Sequence, residues 1–513
     1  MIVIDEQPFS YVEHDGFRYF CSVAFPQFCI PSRFTVARNI SKVFLCETEQ
    51  LRNTLKSLNS RNALTTDCWT SVQNLSYMCL IAHFIDDMCK LHKRILNFCN
   101  IDSHKGKEIR KEVESFILYW GIEEKLSCIT VYNASANDVV VAHLKDNLMD
   151  KLVLGGEFFH MRCGAHILNL IVKYGLELIK DAIVRIRGAV RHVRSSTKRS
   201  KLFDACVSKS KILSKASVSL DVPTRWNATY IMLETTLKFE RAFKRMRQED
   251  PAFEKDLKDG FPSQKDWETT KRMLGTLYVT DNMHYLEILG VLASLLEWTQ
   301  DDDVNIVLMG DQMRKKFDMY YGDFGKTNVM VLVVVALDPK YKMSFVKFSL
   351  RKIYPLDFKK VEELYAQYNQ MRKIYDEFYE NDVEDAMENS ELEEYLNAPP
   401  KKMNNETFNI LKWWSDKCTT YKVLASMTND ILAIPVSTVA SESTFSTSAR
   451  MVDDFRSNLL PKTVEALIFT QGWLRASHVC FDLEKLLEDM EKFEEEINRN
   501  MEIHVEEINS CCF

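Results

Sequence analysis

The sequence predicts an α/β protein whose sheet-containing core is interrupted by a large all-helical insertion. Between residues 59 and 178, short apolar runs bounded by polar turns alternate with segments of helical spacing, in the order β-β-β-α-β-α-β-α. From residue 179 to residue 375, apolar residues recur mostly with helical periodicity. Hydrophobic residues make up 46% of the 513 residues and charged residues 27%, which is ordinary for a globular chain of several domains.

Five strands and three helices account for the predicted α/β part. Runs rich in apolar residues predict strands at Asn62–Thr66, Tyr77–Phe84, Lys93–Phe98, Leu126–Val131 and Phe158–Met161. Apolar residues at helical spacing predict helices at His104–Leu118, Asn137–Leu148 and Gly164–Tyr174. This order is the one expected of an RNase H-like domain, in which an antiparallel hairpin sheet is extended by parallel strands.

The rest of the chain divides by composition. Residues 1–58 predict a helical lead-in, and the helical insertion at 179–375 contains one strand-like stretch at Val329–Leu337. Residues 376–400 are hydrophilic and acidic, which favours a flexible linker. Residues 401–475 are again compact and helical, and 476–513 predict an acidic amphipathic helical tail.

Charge and cysteine content exclude several classes of protein. A net charge of −7 argues against a generally basic nucleic-acid coat, although a local basic patch is compatible with it. The 14 cysteines form no CxxC pair, which favours reduced thiols in the cytosol or nucleus over a secreted disulfide framework. The start of the chain has no signal-peptide pattern, and the longest apolar run is too short to cross a bilayer, so we expect no membrane partner.

Five segments, taken in order, resemble plant hAT transposases, and most closely their domesticated RICESLEEPER-like group. They are Leu64–Ser71, Thr130–Asn137, Phe159–Leu170, Asp221–Asn227 and Ile434–Ser446. The resemblance implies an RNase H-like core interrupted by a large all-helical insertion, completed by a helical C-terminal hAT dimerisation region at 401–475. No set of Cys and His residues has the spacing of the BED zinc finger that usually precedes this region, so we expect neither the finger nor a zinc cofactor.

The resemblance implies a catalytic centre of three carboxylates, which this chain lacks in full. Asp67 matches the first acid of the family and Glu442 the third, whereas Tyr132 stands where an intact site has an aspartate. Such carboxylates would hold Mg²⁺ or Mn²⁺, and a neutral phenol cannot bridge two divalent cations. We therefore expect remnants of a broken metal site and no enzymatic activity. An error in the codon for Tyr132 would instead make the chain an active metal-dependent transposase.

Candidate DNA contacts come from the resemblance and from charge spacing. The resemblance implies contacts at Trp69, Cys163, His166, Arg225 and Trp226; a buried thiol, a hydrogen-bonded histidine and a core tryptophan are the structural alternatives. Residues 185–215 carry ten basic side chains against one acid, Asp204. Within them, three arginines recur at helical spacing and predict a positive face for phosphates: Arg187, Arg191 and Arg194. A plain solvated helix is the alternative. We expect weak DNA binding without sequence preference.

The region 401–475 carries an apolar face that we predict to be the hydrophobic centre of a partner interface. Its residues are Val423, Leu424, Met427, Ile431, Leu432, Leu467 and Ile468. The expected partners are a second copy of the chain, as a homodimer or higher homo-oligomer, and related hAT-like proteins. The expected function is that of a domesticated, inactive, DNA-associated and self-associating protein of the nucleus. A protein-interaction remnant that no longer binds DNA is the alternative.

Overall fold

The computed structural model describes residues 1–71, 74–222, 226–276, 285–321, 328–353, 373–375, 391–401, 408–451 and 461–476. It divides into two compact units. The first combines Met1–Cys163 with Leu337–Lys340 and the part of the chain that follows Asn369. The second contains Gly164–Ala336 and Tyr341–Tyr368. The boundary falls after Cys163, whereas the sequence placed it after residue 178, so the predicted helix at Gly164–Tyr174 belongs to the helical unit.

The first unit is built on a mixed five-stranded sheet of order β3-β2-β1-β4-β5. Strands β1, β2 and β3 are antiparallel, and β4 and β5 extend the sheet in parallel from β1. Each predicted strand is present, within a few residues of its predicted bounds, and the RNase H-like topology is confirmed. The strands are β1 (Asn62–Thr70), β2 (Ser76–Ile85), β3 (Leu91–Ile101), β4 (Leu126–Val131) and β5 (His160–Arg162).

Helices cover both faces of this sheet. Every residue of β2 from Tyr77 to Ile85 is buried, and because successive side chains point to opposite faces, neither face of the strand is open to water. The Trp120 indole N–H donates to the Leu96 carbonyl of β3 at 3.0 Å and fixes one covering helix. The covering helices that follow β3 and β4 are α3 (Gly106–Trp120) and α4 (Ser135–Leu148).

The predicted helical lead-in is present and packs on the C-terminal end of the same unit. It consists of α1 (Asp15–Ala24) and α2 (Arg33–Ser57). The ring of Phe44 lies 5.3 Å from that of Phe469 and 6.1 Å from that of Trp473, which belong to the helix Pro461–Ala476. The Gln471 amide donates to the carbonyls of Val3 and Ile4, so the two ends of the unit are joined by hydrogen bonds as well as by apolar contact.

The second unit is all-helical in its described part. An aromatic core formed by Phe203, Phe243, Phe253 and Trp267 packs several of its helices together. Its helices are α5 (Gly164–Leu176), α6 (Lys180–Arg194), α7 (Thr197–Lys209), α8 (Trp226–Lys238), α9 (Glu240–Glu249), α10 (Pro251–Asp256), α11 (Gln264–Thr276), α12 (Tyr285–Trp298), α13 (Val304–Tyr321), α14 (Met330–Ala336) and α15 (Lys342–Ile353).

The strand predicted at Val329–Leu337 is wrong, because this stretch forms the helix α14. Nearly every side chain of α14 is buried, and a helix buried on all sides has a continuous apolar sequence. Such a run has no periodicity that distinguishes a helix from a buried strand. No helix in the described ranges is both long and apolar enough to span a lipid bilayer.

The linker predicted at 376–400 is also wrong over its last part. Residues Glu391–Asn397 form a helix, α16, in which Leu392 and Tyr395 are buried. The Tyr395 ring packs against Trp414 at 5.0 Å, so these residues belong to the core that follows them. The later helices are α17 (Ile410–Lys417), α18 (Lys422–Leu432), α19 (Val439–Met451) and α20 (Pro461–Ala476). Residues 376–390 and nearly all of the predicted tail lie outside the described residues.

Candidate functional site

The sheet brings the first two positions of the predicted catalytic centre side by side. Asp67 lies in β1, and Thr66 pairs in parallel with Val131, the last residue of β4. Tyr132 therefore follows β4 beside Asp67. The Tyr132 carbonyl accepts hydrogen bonds from the Ala134 N–H at 2.8 Å and from the Asn137 side chain at 2.9 Å, which fix the turn into α4.

Two hydrogen bonds place the third position over these strands. The hydroxyl of Thr130 in β4 donates to the Pro435 carbonyl at 2.8 Å, and the hydroxyl of Ser441 donates to that of Thr65 in β1 at 3.5 Å. Ser441 precedes Glu442 in α19, and both side chains of the pair Ser441–Thr65 are buried. The first turn of α19, with Glu442 in it, is thereby held against the centre of the sheet.

Cys163 holds the N-terminus of the same helix. Its fully buried sulfur accepts hydrogen bonds from the Thr438 N–H at 3.4 Å and from the Thr438 hydroxyl at 3.3 Å. Burial of this depth leaves no surface for a nucleic acid, so the prediction of a DNA contact at Cys163 is wrong. Thr438 is a residue that sequence reasoning missed; it lies just before α19, where a hydroxyl residue at a helix start was the available signal.

The electrostatics of Asp67 are set mainly by burial, with a smaller effect of Glu442. Burial raises the pKa of Asp67 from 3.8 to about 7, a hydrogen bond from the Cys68 N–H opposes the shift, and the negative charge of Glu442 adds to it. The Cys68 N–H lies 2.8 Å from the Asp67 carboxylate. Asp67 and Glu442 are therefore close enough for the charge of one to affect the pKa of the other, and their role as remnants of one catalytic site stays a prediction.

The donor set around these acids does not fit a pair of divalent cations. Such ions take several oxygen ligands, mostly carboxylates, and position 132 offers a neutral phenol. Asp138, six residues further on, lies in α4 and forms an exposed ion pair with the Arg162 guanidinium at 3.2 Å. Across the residues that the structure describes, no three His, Cys, Asp or Glu side chains are grouped closely enough to hold a metal ion.

Trp69 is part of an aromatic stack inside the first unit. Its ring stacks on Tyr77, its neighbour across the β1–β2 pair, and on Phe445, each with a centroid distance of 5.9 Å. Trp69 is half-buried and lies against two aromatic neighbours within the first unit, which favours a core role over the predicted contact with DNA. Phe445 lies one turn after Glu442, so the stack also orients α19. The paired positions of Trp69 and Tyr77 in neighbouring strands were the sequence signal for it.

Of the three arginines predicted to face phosphates, Arg187 is a structural residue. Its guanidinium forms a two-point ion pair with Asp221 at 2.8 and 2.7 Å, and the Asp221 side chain is 1% exposed. Arg194 is exposed and donates to the Val218 carbonyl at 2.9 Å. Arg191 is exposed. The predicted face of three free arginines is therefore reduced to two. The pairing of Arg187 was not predicted, because its partner acid lies 34 residues away in the sequence.

The basic stretch 185–215 is balanced in part by acids that follow it. Three further ion pairs remove positive charge from its surface: Arg185–Asp266, Arg199–Asp256 and Lys209–Glu249. Exposed lysines remain at Lys198 and Lys201 in α7. An open cleft of about 570 Å³ lies at the N-terminus of α7, and its lining includes Arg194, Ser196 and Lys215.

The remaining predicted DNA contacts are placed only in part. His166 lies in the first turn of α5, where it is half-buried, and burial lowers its pKa. Arg225 lies outside the described residues. Trp226 begins α8, but its side chain also lies outside them.

The residues predicted to form a partner interface are core residues. Six of the seven are buried within a single chain, namely Val423, Leu424, Met427, Ile431, Leu467 and Ile468, and Leu432 is half-buried. The prediction is therefore wrong for these side chains. An apolar helix face looks the same in sequence whether it packs inside the chain or against a partner.

Four family models match consecutive parts of the chain. The ZBED1 RNase-like domain matches residues 65–158, and the ZBED1 RNase-like helical domain matches 161–276. A model of the hAT-like transposase, RNase-H fold, matches 282–389. The hAT family C-terminal dimerisation region matches 391–474, which includes the helix α16 that the sequence had assigned to a linker.

Curated relatives align with 93% of the chain. The chain is 34% identical to the putative AC transposase of Zea mays and 30% identical to the zinc finger BED domain-containing protein RICESLEEPER 2 of Oryza sativa subsp. japonica. It is 28% identical to the zinc finger BED domain-containing protein DAYSLEEPER of Arabidopsis thaliana. It spans 64% of the length of the maize relative and 73% of the length of the other two.

Proposed function

The chain belongs to the hAT transposase family, and from this premise we propose that it is a domesticated, catalytically inactive member that associates with DNA and with itself in the nucleus. One observation carries the proposal: Tyr132 stands beside Asp67 where the family pattern has a carboxylate. The resemblance to the RICESLEEPER and DAYSLEEPER proteins supports it, as does the RNase H-like topology, in which Tyr132 directly follows β4 next to β1.

The charge of the site supports the loss of catalysis. Two divalent cations bring four positive charges, and Asp67 and Glu442 supply at most two negative ones. Burial also raises the pKa of Asp67 to about 7, which disfavours its ionised form in the absence of a bound cation. Loss of a metal site removes both the activation of the attacking water and the stabilisation of the leaving oxygen, which is worth several orders of magnitude in rate.

A cleavage assay tests this proposal. The unmodified chain is incubated with Mg²⁺ or Mn²⁺ and labelled duplex or nicked DNA ends, beside the variants Tyr132→Asp and Asp67→Ala. We expect no strand cleavage by the unmodified chain. Metal-dependent cleavage by the unmodified chain that Asp67→Ala abolishes would show that the proposal is wrong.

Metal affinity provides a second readout that needs no catalysis. A ligand that binds the folded state raises its stability by RT ln(1 + [L]/Kd), so Mn²⁺ at about ten times Kd adds roughly 1.4 kcal/mol. We expect millimolar Mn²⁺ to leave the melting temperature of the unmodified chain unchanged and to raise that of Tyr132→Asp. The double variant Tyr132→Asp, Asp67→Ala is the matched control, in which the rise should disappear.

The DNA association rests on the exposed basic side chains of the helical unit. We propose that Arg191, Lys198 and Lys201 contact phosphates, which gives weak, salt-sensitive binding without sequence preference. Reversing these three charges should weaken binding on all probes alike and reduce the slope of log affinity against log salt by roughly 2–3. A matched control reverses three exposed lysines at the start of α3, namely Lys105, Lys107 and Lys111. Tight, sequence-specific binding at physiological salt would refute this part of the proposal.

Self-association is proposed from the match to the hAT dimerisation region over 391–474. Light scattering on the full chain at tens of micromolar tests it, and we expect a mass of at least two copies. A monomer under these conditions would refute it. Nuclear location is tested by imaging a fluorescent fusion, and exclusion of that fusion from the nucleus would contradict it.

A further inference from the structure

The N-terminal helices leave a large aromatic surface uncovered. We define the aromatic patch as Tyr19, Phe20, Val23, Phe25, Phe28 and Phe34, whose side chains are each between 53% and 80% exposed. The rings of Phe20 and Phe25 lie 6.4 Å apart with their planes nearly perpendicular. These residues belong to α1, to the start of α2 and to the segment that joins the two helices.

Helix α1 is apolar on two faces, and the first unit covers one of them. Cys21 is buried and Phe17 packs against the core, whereas Tyr19, Phe20 and Val23 point to the outside. A surface helix of a globular protein normally has polar residues on its outer face. A helix that is apolar on both faces is expected to lie between two packed surfaces.

The exposed area matches what a stable interface needs. An aromatic side chain presents roughly 200 Å² when fully exposed, so five of them at about two-thirds exposure present roughly 650 Å². Two such patches would bury about 1,300 Å², which is within the range of specific protein interfaces at roughly 1,200–2,000 Å². The patch also exceeds the few hundred Å² of contiguous apolar surface found on ordinary monomers.

The charge of the patch fits a second copy of itself. Between Tyr19 and Phe34 the only charged side chain is Arg33, and Glu13 neutralises it through an ion pair at 2.6 Å. A two-fold interface places the same surface on both partners, so it must not oppose like charges. A surface without net charge meets that condition.

The helix α2, which carries one end of the patch, also packs on the region that matches the family's dimerisation model. Helix α2, which begins beside the patch, packs through Phe44 on Phe469 and Trp473 of α20. Residues 469 and 473 lie within the matched range 391–474. The N-terminal helices therefore form one structural block with α20.

We infer that the aromatic patch is the surface through which two copies of this chain associate. The inference rests on the self-association proposed above and names its site, which is the N-terminal aromatic surface and not the apolar face of α18.

A three-residue variant tests the surface. Phe20→Ser, Phe25→Ser and Phe28→Ser together remove the centre of the patch, and because all three side chains are exposed, the fold should remain intact by circular dichroism and thermal melting. A matched control makes the same kind of change at exposed apolar residues of the helical unit, with Leu213→Ser, Met319→Ser and Phe348→Ser. Analytical ultracentrifugation of the full chain should show a dissociation constant raised at least roughly 100-fold by the patch variant, and unchanged by the control.

Thiol labelling of the unmodified chain is an independent measurement. Cys29 lies within the patch segment and Cys418 lies in α17's C-terminal cap, and both are exposed. Labelling with a maleimide, mapped by peptide mass spectrometry, should slow at Cys29 as protein concentration rises and stay constant at Cys418.

The outcomes separate the inference from the proposal on which it rests. A self-associating chain that the patch variant leaves unchanged would overturn the inference and leave the self-association standing. Protection of Cys418 with continued reactivity of Cys29 would also overturn it and place the interface in the C-terminal region. A chain that is monomeric at tens of micromolar would overturn both.

Discussion

The pairing of Arg187 with Asp221 makes a sharp prediction about stability. The guanidinium donates two hydrogen bonds to a carboxylate that is 1% exposed, and the Thr229 hydroxyl donates a third at 2.7 Å. Removing the arginine leaves that carboxylate buried with one neutral donor. Breaking a buried ion pair from one side costs roughly 3–5 kcal/mol, because the remaining charge is uncompensated.

We therefore expect Arg187→Ala to lower the free energy of unfolding by about 3 kcal/mol. Arg191→Ala is the matched control, because Arg191 lies one turn further along α6 and is exposed; it should change stability by less than about 0.5 kcal/mol. The measurement is urea denaturation followed by circular dichroism. The Arg187 ion pair lowers the pKa of Asp221 against the effect of burial, so its stabilising contribution is present at neutral pH and lost as pH falls through that lowered pKa.

Two results would refute this reasoning. A loss of less than about 1 kcal/mol for Arg187→Ala would mean that the pair does not stabilise the helical unit. A variant of normal stability that binds DNA more weakly than Arg191→Ala would return Arg187 to the role of a phosphate contact. The double variant with Asp221→Asn should recover part of the loss, because it removes the buried charge.

Three further predictions concern the first unit. Asp67→Asn should raise stability by roughly 4 kcal/mol above pH 7 and by little below pH 4, because the folded pKa of about 7 exceeds the usual 3.8 and folding disfavours the ionised form; melting curves against pH test it, and a loss at pH 8 would contradict it. Leu424→Ala should cost roughly 2–5 kcal/mol in urea denaturation at any protein concentration, whereas an interface residue would show a concentration-dependent loss. Cys163→Ala should cost roughly 1–3 kcal/mol because it leaves the buried Thr438 N–H unpaired, and an unchanged urea midpoint would show that this contact is unimportant.

Local patterns were sufficient for the elements of the sheet. The bounds of β4 at Leu126–Val131 were predicted to the residue, because this short run between polar turns ends in three β-branched residues, Ile129, Thr130 and Val131, which favour a strand. They were insufficient at α14, since a helix that is buried all round and a buried strand have the same apolar composition. Local patterns also failed at α16, because the acidic composition of this segment favours a linker although its two apolar residues, Leu392 and Tyr395, are buried in the core.

The candidate site shows the same division. Sequence motifs alone identified Asp67, Tyr132 and Glu442 as one constellation, because the resemblance assigns each position its place in the fold. The sequence by itself therefore determined the family, the order of the strands and the presence of a tyrosine at position 132.

Only the tertiary structure decided which side chains are free to act. Arg187 is neutralised by an acid 34 residues away, and Cys163 receives its hydrogen bonds from a residue 275 positions later. Burial and pairing depend on which distant segments meet, and that is a property of the folded chain. A sequence specifies the chemistry of each side chain, whereas packing determines whether that side chain contacts water, a neighbouring residue or a partner molecule.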